Sequence, residues 1–482
     1  MPKTTKNQRH KQNYRKPSGS SYYSSPGARK APTSTPKTSG NRQTVSLAKT
    51  SHAPEIFLVV VGLGLGATVG IALTPESHQA LSAPGGVMMF LGNITGLIGT
   101  YLALVMVLLV SRIPYIEKVL GQDGLVSWHK KLAAWPISLI LLHAVFLTIA
   151  YAQAAKTGPL HELGTLLSSF PDMIEATAAL IIMVLIGIIS IRAIRQRIKR
   201  ETWWTIHLYM YLALALAFAH EVVLGPSFVG HPLTQLVWSV AWAMTAGLVL
   251  FYRFIIPAIK SFYYKFEVYQ VRRETDDTIS IILKGRHTEK LKVKGGQFFE
   301  WRFLKRGMWW QAHPFSISAK PRPPYLRITV KQLGDFTEKL SSLKPGTKVA
   351  FEGPYGVFTH RAMTGNKVAL IAGGIGITSV RSLLEDIPGT ADIVAILRSA
   401  SEQDSALNHE VKELIRKKNG VCLEVFGSRS EVPLENVASM IEDILQRDTF
   451  IAGSADFVES FKKILSAKGI AENKLHGEIY AL

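Results

Sequence analysis

The chain has 482 residues, a formal net charge of +20 and 47% hydrophobic residues. Apolar runs of bilayer-crossing length exclude a purely soluble enzyme. Residues 1–50 hold eleven Lys or Arg and no acid, so over half the excess charge sits in one segment and no nucleic-acid partner is expected.

Residues 1–54, rich in Ser, Thr, Pro and Lys, are expected to form a disordered cytoplasmic arm facing anionic lipid headgroups. Six membrane helices follow within residues 55–260, near 56–73, 88–110, 128–151, 173–194, 203–224 and 233–256. The first carries Gly62, Gly64, Gly66 and Gly70, which suits either close helix contact or a thin spacer. Arg192, Arg195, Arg197, Lys199 and Arg200 crowd the link between spans four and five, and Arg112, Lys118, Lys130 and Lys131 flank the link between two and three. The connections on the other side contain one Lys and no Arg. The positive-inside rule then puts both chain ends in the cytoplasm, with the plasma membrane the expected location.

Spans three and five each hold two histidines: His129 and His143, fourteen residues apart, and His207 and His220, thirteen apart. Each interval covers roughly 20 Å of helix. Titratable groups at that depth are costly and are kept for a task. Two parallel spans so furnished present two rungs of facing imidazoles, His129 with His207 and His143 with His220, and each rung suits one b-type haem. Fourteen residues keep two side chains on one face of a slightly overwound helix. Thirteen fall about 100° short, so span five needs different rotamers, a local distortion or offset haems. His161 and His231 fall in outer connections and read as surface residues, and Cys422 as an ordinary strand residue.

Beyond Lys260 the pattern changes. Residues 266–283 alternate like a strand, and further short strands with Gly and Pro breaks run to about Pro354. From Lys367 the rhythm is strand, turn, helix: 368–371, a glycine turn, then a helix over 378–385, a strand over 392–397 and a helix near 407–417. The fold class expected is multidomain: an all-α six-helix transmembrane bundle, a β-barrel domain over 261–361 and an α/β nucleotide-binding domain over 362–482. Gly373-Gly374-Ile375-Gly376-Ile377-Thr378 follows a strand and opens a helix, the setting in which glycines admit a phosphate to a helix N-terminus.

Four spaced histidines, six spans and a soluble C-terminal half resemble the ferric reductase and NADPH oxidase superfamily over residues 56–482. The resemblance implies that the four histidines ligate two haems and that the soluble half binds FAD and NADPH, with NADH possible. His313-Pro314-Phe315-Ser316 looks like the family's flavin motif. Gly296-Gln297-Phe298 precedes it, and Val330-Lys331 and Gly334-Asp335-Phe336-Thr337 follow. That last turn is expected to open a helix over 338–343 suited to the FAD pyrophosphate, with Lys331 supplying charge. Gly353-Pro354-Tyr355-Gly356 and the glycine turn resemble the nicotinamide site. Arg398, Ser428 and Arg429 end strands where the family binds a ribose 2′-phosphate, or are ordinary surface residues.

Three departures stand out. Many relatives have Cys-Gly-Pro beside the nicotinamide; this chain has Ala452-Gly453-Ser454, so only Gly453 is retained. A terminal aromatic often covers the flavin, and Tyr480 is followed here by Ala481 and Leu482. The first span lacks the arginine that eukaryotic oxidases place near the outer haem. The implied activity is electron transfer from cytoplasmic NADPH through FAD and both haems to an outer acceptor, dioxygen giving superoxide or else a ferric chelate. A conduit that needs a partner protein is the other class of reading.

Overall fold

The computed structural model describes residues 53–73, 81–428 and 430–480, all within one compact unit. All but the last two residues of the basic arm expected over 1–54, together with residues 74–80, Arg429 and the last two residues of the chain, lie outside the described residues. Among the described residues, six helices are long and apolar enough to cross a membrane.

The first two spans are Ala53–Ala72 and Gly86–Val110. The third is a pair of helices, Pro114–Leu132 and Ala134–Ala155. Pro136 has no N–H to offer the Leu132 carbonyl, which accounts for the break at Ala133. The fourth, Met173–Ser190, stops four residues before the expected end. The chain turns at Ile191 into the short helix Arg192–Arg195, because those cations belong outside the hydrocarbon. The fifth is Arg200–His207 continued by Tyr209–Leu224. The sixth, Pro232–Leu250, passes through a π turn at Phe251–Ile255 into Ile256–Tyr264. Pro257 cannot donate to the Arg253 carbonyl, and the local widening to a π turn follows. A helix absent from the sequence reading, Pro159–Ser169, lies in the connection between spans three and four and carries the exposed His161.

Of the first span's glycines, Gly64 makes close helix contact: a Cβ there would run into the Tyr101 ring of span two, whose hydroxyl donates to the Val61 carbonyl at 2.6 Å. A Cβ at Gly62, Gly66 or Gly70 would meet nothing within 4 Å. In the second span, a Cβ at Gly92 would reach Leu147 Cδ2 at 2.5 Å and one at Gly99 would reach Ile140 Cγ1 at 2.8 Å. Spans two and three therefore approach through missing side chains on span two.

The soluble half opens with two three-stranded antiparallel sheets. One runs β1 (Glu267–Arg273), β2 (Thr278–Lys284) and β5 (Tyr325–Lys331). The other orders β4 (His313–Ser316), β3 (Phe298–Phe303) and β6 (Val349–Tyr355). The alternation over 266–283 is thus a hairpin, not one strand. Single bridges, Glu267 to Lys348 and Ile317 to Ile328, link the sheet edges around a core that includes Phe299, Trp301, Phe303 and Phe351. The result is barrel-like without continuous ladders all round.

The last part is a five-stranded parallel sheet ordered β11 (Leu475–Tyr480), β10 (Asp448–Ser454), β7 (Lys367–Gly373), β8 (Asp392–Ser399) and β9 (Val421–Phe426). Its strands read as continuous apolar runs because both faces are covered by helices. Cys422 is a half-buried strand residue of β9, and burial pushes its thiol up to about 11. Chain order reverses between β7 and β10, which makes the ends of these two strands the switch-point crevice where such sheets bind ligands. Arg327 on β5 clamps Glu410 with two bonds of 2.8 Å, and Arg381 adds a third at 2.7 Å, tying the barrel to the parallel-sheet domain. Burial opposes the Glu410 charge, yet the two guanidinia hold its carboxyl at about 2.

Candidate functional site

The four span histidines form two pairs. His129 and His207 have ring centroids 6.2 Å apart, and His143 and His220 6.4 Å apart, both near edge-on. Their supports differ by helix. His129 Nδ1 lies 3.2 Å from the Met106 carbonyl, and His143 Nδ1 lies 2.8 Å from the Gly92 carbonyl. Met106 and Gly92 are themselves fourteen residues apart on the second span, which runs antiparallel to the third. A Cβ at Gly96 would come within 2.5 Å of His143 Nδ1, so glycine there admits the ring.

The span-five rings are held by packing instead. Trp203 stacks on His207 at 4.9 Å, and the Arg195 guanidinium covers Trp203 at 4.3 Å. The buried Nδ1 atoms of His207 and His220 have no hydrogen-bond partner among the described residues. Span five departs from regular helix at Leu208, one residue past His207, where a thirteen-residue interval needs adjustment. Beside His220 sits Glu221, missed in the sequence. It accepts from the Thr100 hydroxyl and from the indoles of Trp238, at 2.9 Å, and Trp242, at 3.3 Å. His231 is half-buried at the start of span six and joins neither pair.

The barrel is fastened to the spans by buried charge. Arg112 donates to Glu300 at 2.9 Å and lies 4.4 Å over the Tyr355 ring. Arg253, in the π turn, donates to Glu352 at 3.2 Å. Burial opposes the Arg112 charge, but Glu300 and Glu352 keep its pKa above the ordinary value; burial also pushes the Tyr355 phenol up to about 12. Lys260 donates to the Gly353 carbonyl at 2.6 Å, and Glu117 accepts from the Gly356 N–H at 2.9 Å. Gly353 therefore faces the spans at this junction. A cavity of about 100 Å³ opens beside it, between Glu201 and Trp204 of span five and Ala312 and His313 at the start of β4.

Within the barrel, His313 stacks on Phe336 with centroids 3.7 Å apart and lies parallel to Phe315 at 6.4 Å. Pro314 is exposed, while Ser316 is buried. Val330 is a core residue, so only its backbone faces outward contacts. Lys331 is held by Asp277 at 2.9 Å, a consequence of the register that sets Thr278 opposite Lys331. Burial resists the Asp277 charge, but the Lys331 ammonium keeps its carboxyl below the usual range. The helix expected over 338–343 starts earlier and is one turn, Asp335–Lys339, continued by a 3₁₀ turn at Leu340–Ser342. Thr337 Oγ1 already accepts from the N–H groups of Leu333, at 2.9 Å, and Gly334, at 3.1 Å.

At the crevice, the glycines divide their work. Gly373 and Gly453 lie against the Phe457 ring, where a Cβ would come within 2.9 and 2.7 Å. A Cβ at Gly376 would run into the Ala452 carbonyl and come within 2.7 Å of the Gly453 nitrogen. Gly374 alone of the turn has positive φ, +54°, and its missing Cβ points into open space. Ile375 accepts from the Thr378 hydroxyl at 2.9 Å. The Tyr480 hydroxyl bonds Thr378 at 2.8 Å and Ser379 at 2.6 Å, and burial raises its pKa against the hydroxyls of Ser316, Ser379 and Thr378. Tyr480 thereby joins the serine of the β4 motif to the glycine-turn helix. Ser454, where relatives carry proline, caps the helix Ala455–Ala467. Arg398 is buried and donates to the Ser428 and Val432 carbonyls at 2.9 and 2.8 Å, shaping the loop that presents Ser428.

With this geometry in hand, the comparisons with known proteins are consistent along the chain. Residues 95–218 match the ferric reductase like transmembrane component, and residues 263–359 match an FAD-binding domain. Similar curated proteins include a glycine betaine monooxygenase reductase subunit of Pseudomonas aeruginosa, 25% identical over 184 residues, 34% of this chain and 50% of that protein. An NADPH oxidoreductase of Mycobacterium tuberculosis is 25% identical over 223 residues, 44% of this chain and 58% of that one. The chain thus spans about half the length of the curated relatives it matches. Among solved structures, a ferredoxin reductase in carbazole 1,9a-dioxygenase aligns at 18% identity and TM-score 0.39, covering 45% of this chain and 68% of that one. A flavohemoglobin from Malassezia yamatoensis aligns at 16% identity and TM-score 0.42, covering 85% and 99%. A ferric reductase like transmembrane component, an FAD-binding domain after it and six apolar helices match the layout of the ferric reductase and NADPH oxidase superfamily.

Proposed function

We propose that the chain is a transmembrane oxidoreductase that takes electrons from cytoplasmic NADPH, through FAD and two b-type haems, to dioxygen on the far side. The imidazole spacing carries this reading. A metal–imidazole bond of about 2 Å, with the ring centre roughly 1 Å beyond, puts two axial imidazoles on one iron about 6 Å apart, centre to centre. The two pairs stand at 6.2 and 6.4 Å. Helix packing alone gives no reason for that value to occur twice.

The protein's own groups support the same reading. Carbonyls at Met106 and Gly92 engage Nδ1 of His129 and His143, which frees Nε2 for a metal. His207 and His220 have no such partner at Nδ1 among the described residues, and the His207 ring is oriented by stacking on Trp203 instead. When bound, FAD supplies the conversion of a two-electron hydride donor into single-electron steps, and haem iron accepts them. His313, Phe315 and Ser316 would hold the flavin ring, with Phe336 fixing the His313 plane. Tyr480, Thr378 and Gly374 line the crevice where the nicotinamide would meet it. The small cavity between His313 and Trp204 lies where the flavin strand faces the turn of helix bearing His207.

Contacts of Arg112 with Glu300 set the cation-rich link on the same side as the soluble half, which supports a cytoplasmic NADPH site. His129 with His207 and His143 with His220 would hold the two haems, which would supply one-electron transfer to an acceptor on the far side. The outer connections carry one Lys and no Arg, few groups with which to grip an anionic ferric chelate, and this favours dioxygen. The test is purified chain in lipid nanodiscs with FAD and NADPH. Dye reduction sensitive to superoxide dismutase is the expected result. Ferrous-chelate formation under anaerobic conditions, without superoxide in air, would move the chain to the ferric reductases. No dithionite-induced change in the Soret and α bands would remove the haems from the reading altogether.

A further inference from the structure

A second and larger cavity, about 670 Å³, opens where the spans meet the barrel. Its volume falls within the range of about 300–1,000 Å³ typical of small-ligand sites. One wall is apolar and comes from the membrane side: Pro114, Tyr252, Ile256 and Pro257. The opposite wall carries Lys292, Lys294 and Arg361 from the soluble half. None of these three makes an ion pair among the described residues. Lys260, also in the lining, donates a hydrogen bond to the Gly353 carbonyl and not to a carboxylate. The two lining acids are committed: Glu117 accepts from the Gly356 N–H, and Glu352 pairs with Arg253. Gln297 and Gly353-Pro354-Tyr355-Gly356 form its floor, while His313-Pro314-Phe315-Ser316 and the turn Gly373–Gly376 do not line it.

The position is as informative as the charge. Tyr252 to Lys260 belong to the end of the sixth span from which the soluble half departs, so the cavity sits at headgroup depth. An apolar wall continuous with the bilayer and a cationic wall facing it describe an anionic amphiphile. Basic pockets between helices on the cytoplasmic side bind lipid headgroups for this reason. We propose that the cavity binds one anionic phospholipid, its phosphate held by Lys292, Lys294 and Arg361 and its acyl chains lying along Tyr252 and Ile256. The lipid then bridges the last span and the barrel and steadies their junction. The haem assignment plays no part in this inference.

Native mass spectrometry of the full chain, released from nanodiscs of phosphatidylcholine with phosphatidylglycerol, tests it. Wild type is expected to retain one phosphatidylglycerol. The Lys292→Gln, Lys294→Gln, Arg361→Gln variant should hold it roughly a hundredfold less tightly. A control with the same charge removed at the exposed Lys344, Lys417 and Lys463, each →Gln, should retain it, as should the charge-conserving Lys292→Arg, Lys294→Arg variant. Because every variant keeps residues 1–52, attraction between that segment and the lipid cancels. Melting temperature and FAD content report whether the triple variant folds; if it does not, filling the apolar wall by Ile256→Trp should displace the lipid. Equal retention by wild type and the triple variant overturns the proposal. So does displacement of the lipid by millimolar inorganic phosphate, which would mark a site for a soluble phosphate instead, and so does the absence of any bound lipid in wild type.

Discussion

Gly96 offers the sharpest test of the outer histidine pair. A Cβ there would stand 2.5 Å from His143 Nδ1 and 3.0 Å from Cε1, against the 2.8 Å bond from that nitrogen to the Gly92 carbonyl. In Gly96→Ala the ring must retreat by about an ångström, well beyond what a packed interior absorbs without strain. Overpacking of this kind costs about 1–3 kcal/mol, and the lost hydrogen bond about another 0.5–1.5 kcal/mol. Together, some 2–4 kcal/mol corresponds to a thirty- to several-hundredfold weaker outer haem site, at roughly 1.4 kcal/mol per factor of ten. Haem-to-protein ratio by pyridine haemochrome, measured after incubation with an apo-globin trap, should fall from two toward one. Flavin reduction by NADPH should be untouched. Gly62→Ala, where a Cβ meets nothing within 4 Å, is the matched control. Two haems retained in Gly96→Ala with an unchanged trap rate would refute the reasoning.

Three further outcomes are expected. Arg112→Ala leaves Glu300 buried without its guanidinium, a loss of about 3–5 kcal/mol; stopped-flow haem reduction should slow at least tenfold while flavin reduction keeps its rate, and parallel slowing of both would contradict a docking role. Gly376→Ala drives a Cβ against the Gly453 N–H and should raise the NADPH KM at least tenfold, whereas Gly374→Ala, strained only by its φ of +54°, should raise it less; equal effects would speak against the crevice geometry. Glu410 has its carboxyl depressed to about 2, so its stabilisation is complete above the unfolded value of about 4.3 and is lost as pH falls toward 2. Glu410→Gln should therefore lower the melting temperature by a few degrees at pH 7, with the gap closing on acidification; a gap independent of pH would rule this out.

What could be read from the residues depended on whether chemistry or pairing carried the information. Imidazoles stand out within or at the edge of long apolar runs, so the four histidines were visible from type and interval. The carbonyls that engage two of them were not, since Gly92 and Met106 contribute main chain, which every residue shares. Helix boundaries set by proline were legible after the fact: Pro136 explains the break at Ala133, and Pro257 the π turn. The glycine run of span one left close contact and a thin spacer both open, and the structure divides it: Gly64 lies against Tyr101, while Gly62, Gly66 and Gly70 face open space. The fastening of Arg112 to Glu300 joins residues far apart in sequence and leaves no periodic trace. Lys331 read as a charge for a phosphate because its partner Asp277 comes from strand register, which no single-strand pattern reveals. Glu221 was overlooked for a related reason: its three donors come from two other helices.

The matching intervals on spans two and three have a mechanical consequence. Two main-chain anchors and two rings share one fourteen-residue stride on antiparallel helices, so the helix pair works as a template of fixed length. Inserting one residue between Gly92 and Met106 would rotate one anchor about 100° from its ring and leave the other in place. The gap between His129 and His143 is thus written into backbone periodicity, and side-chain substitution can tune either ring but cannot move the two closer together.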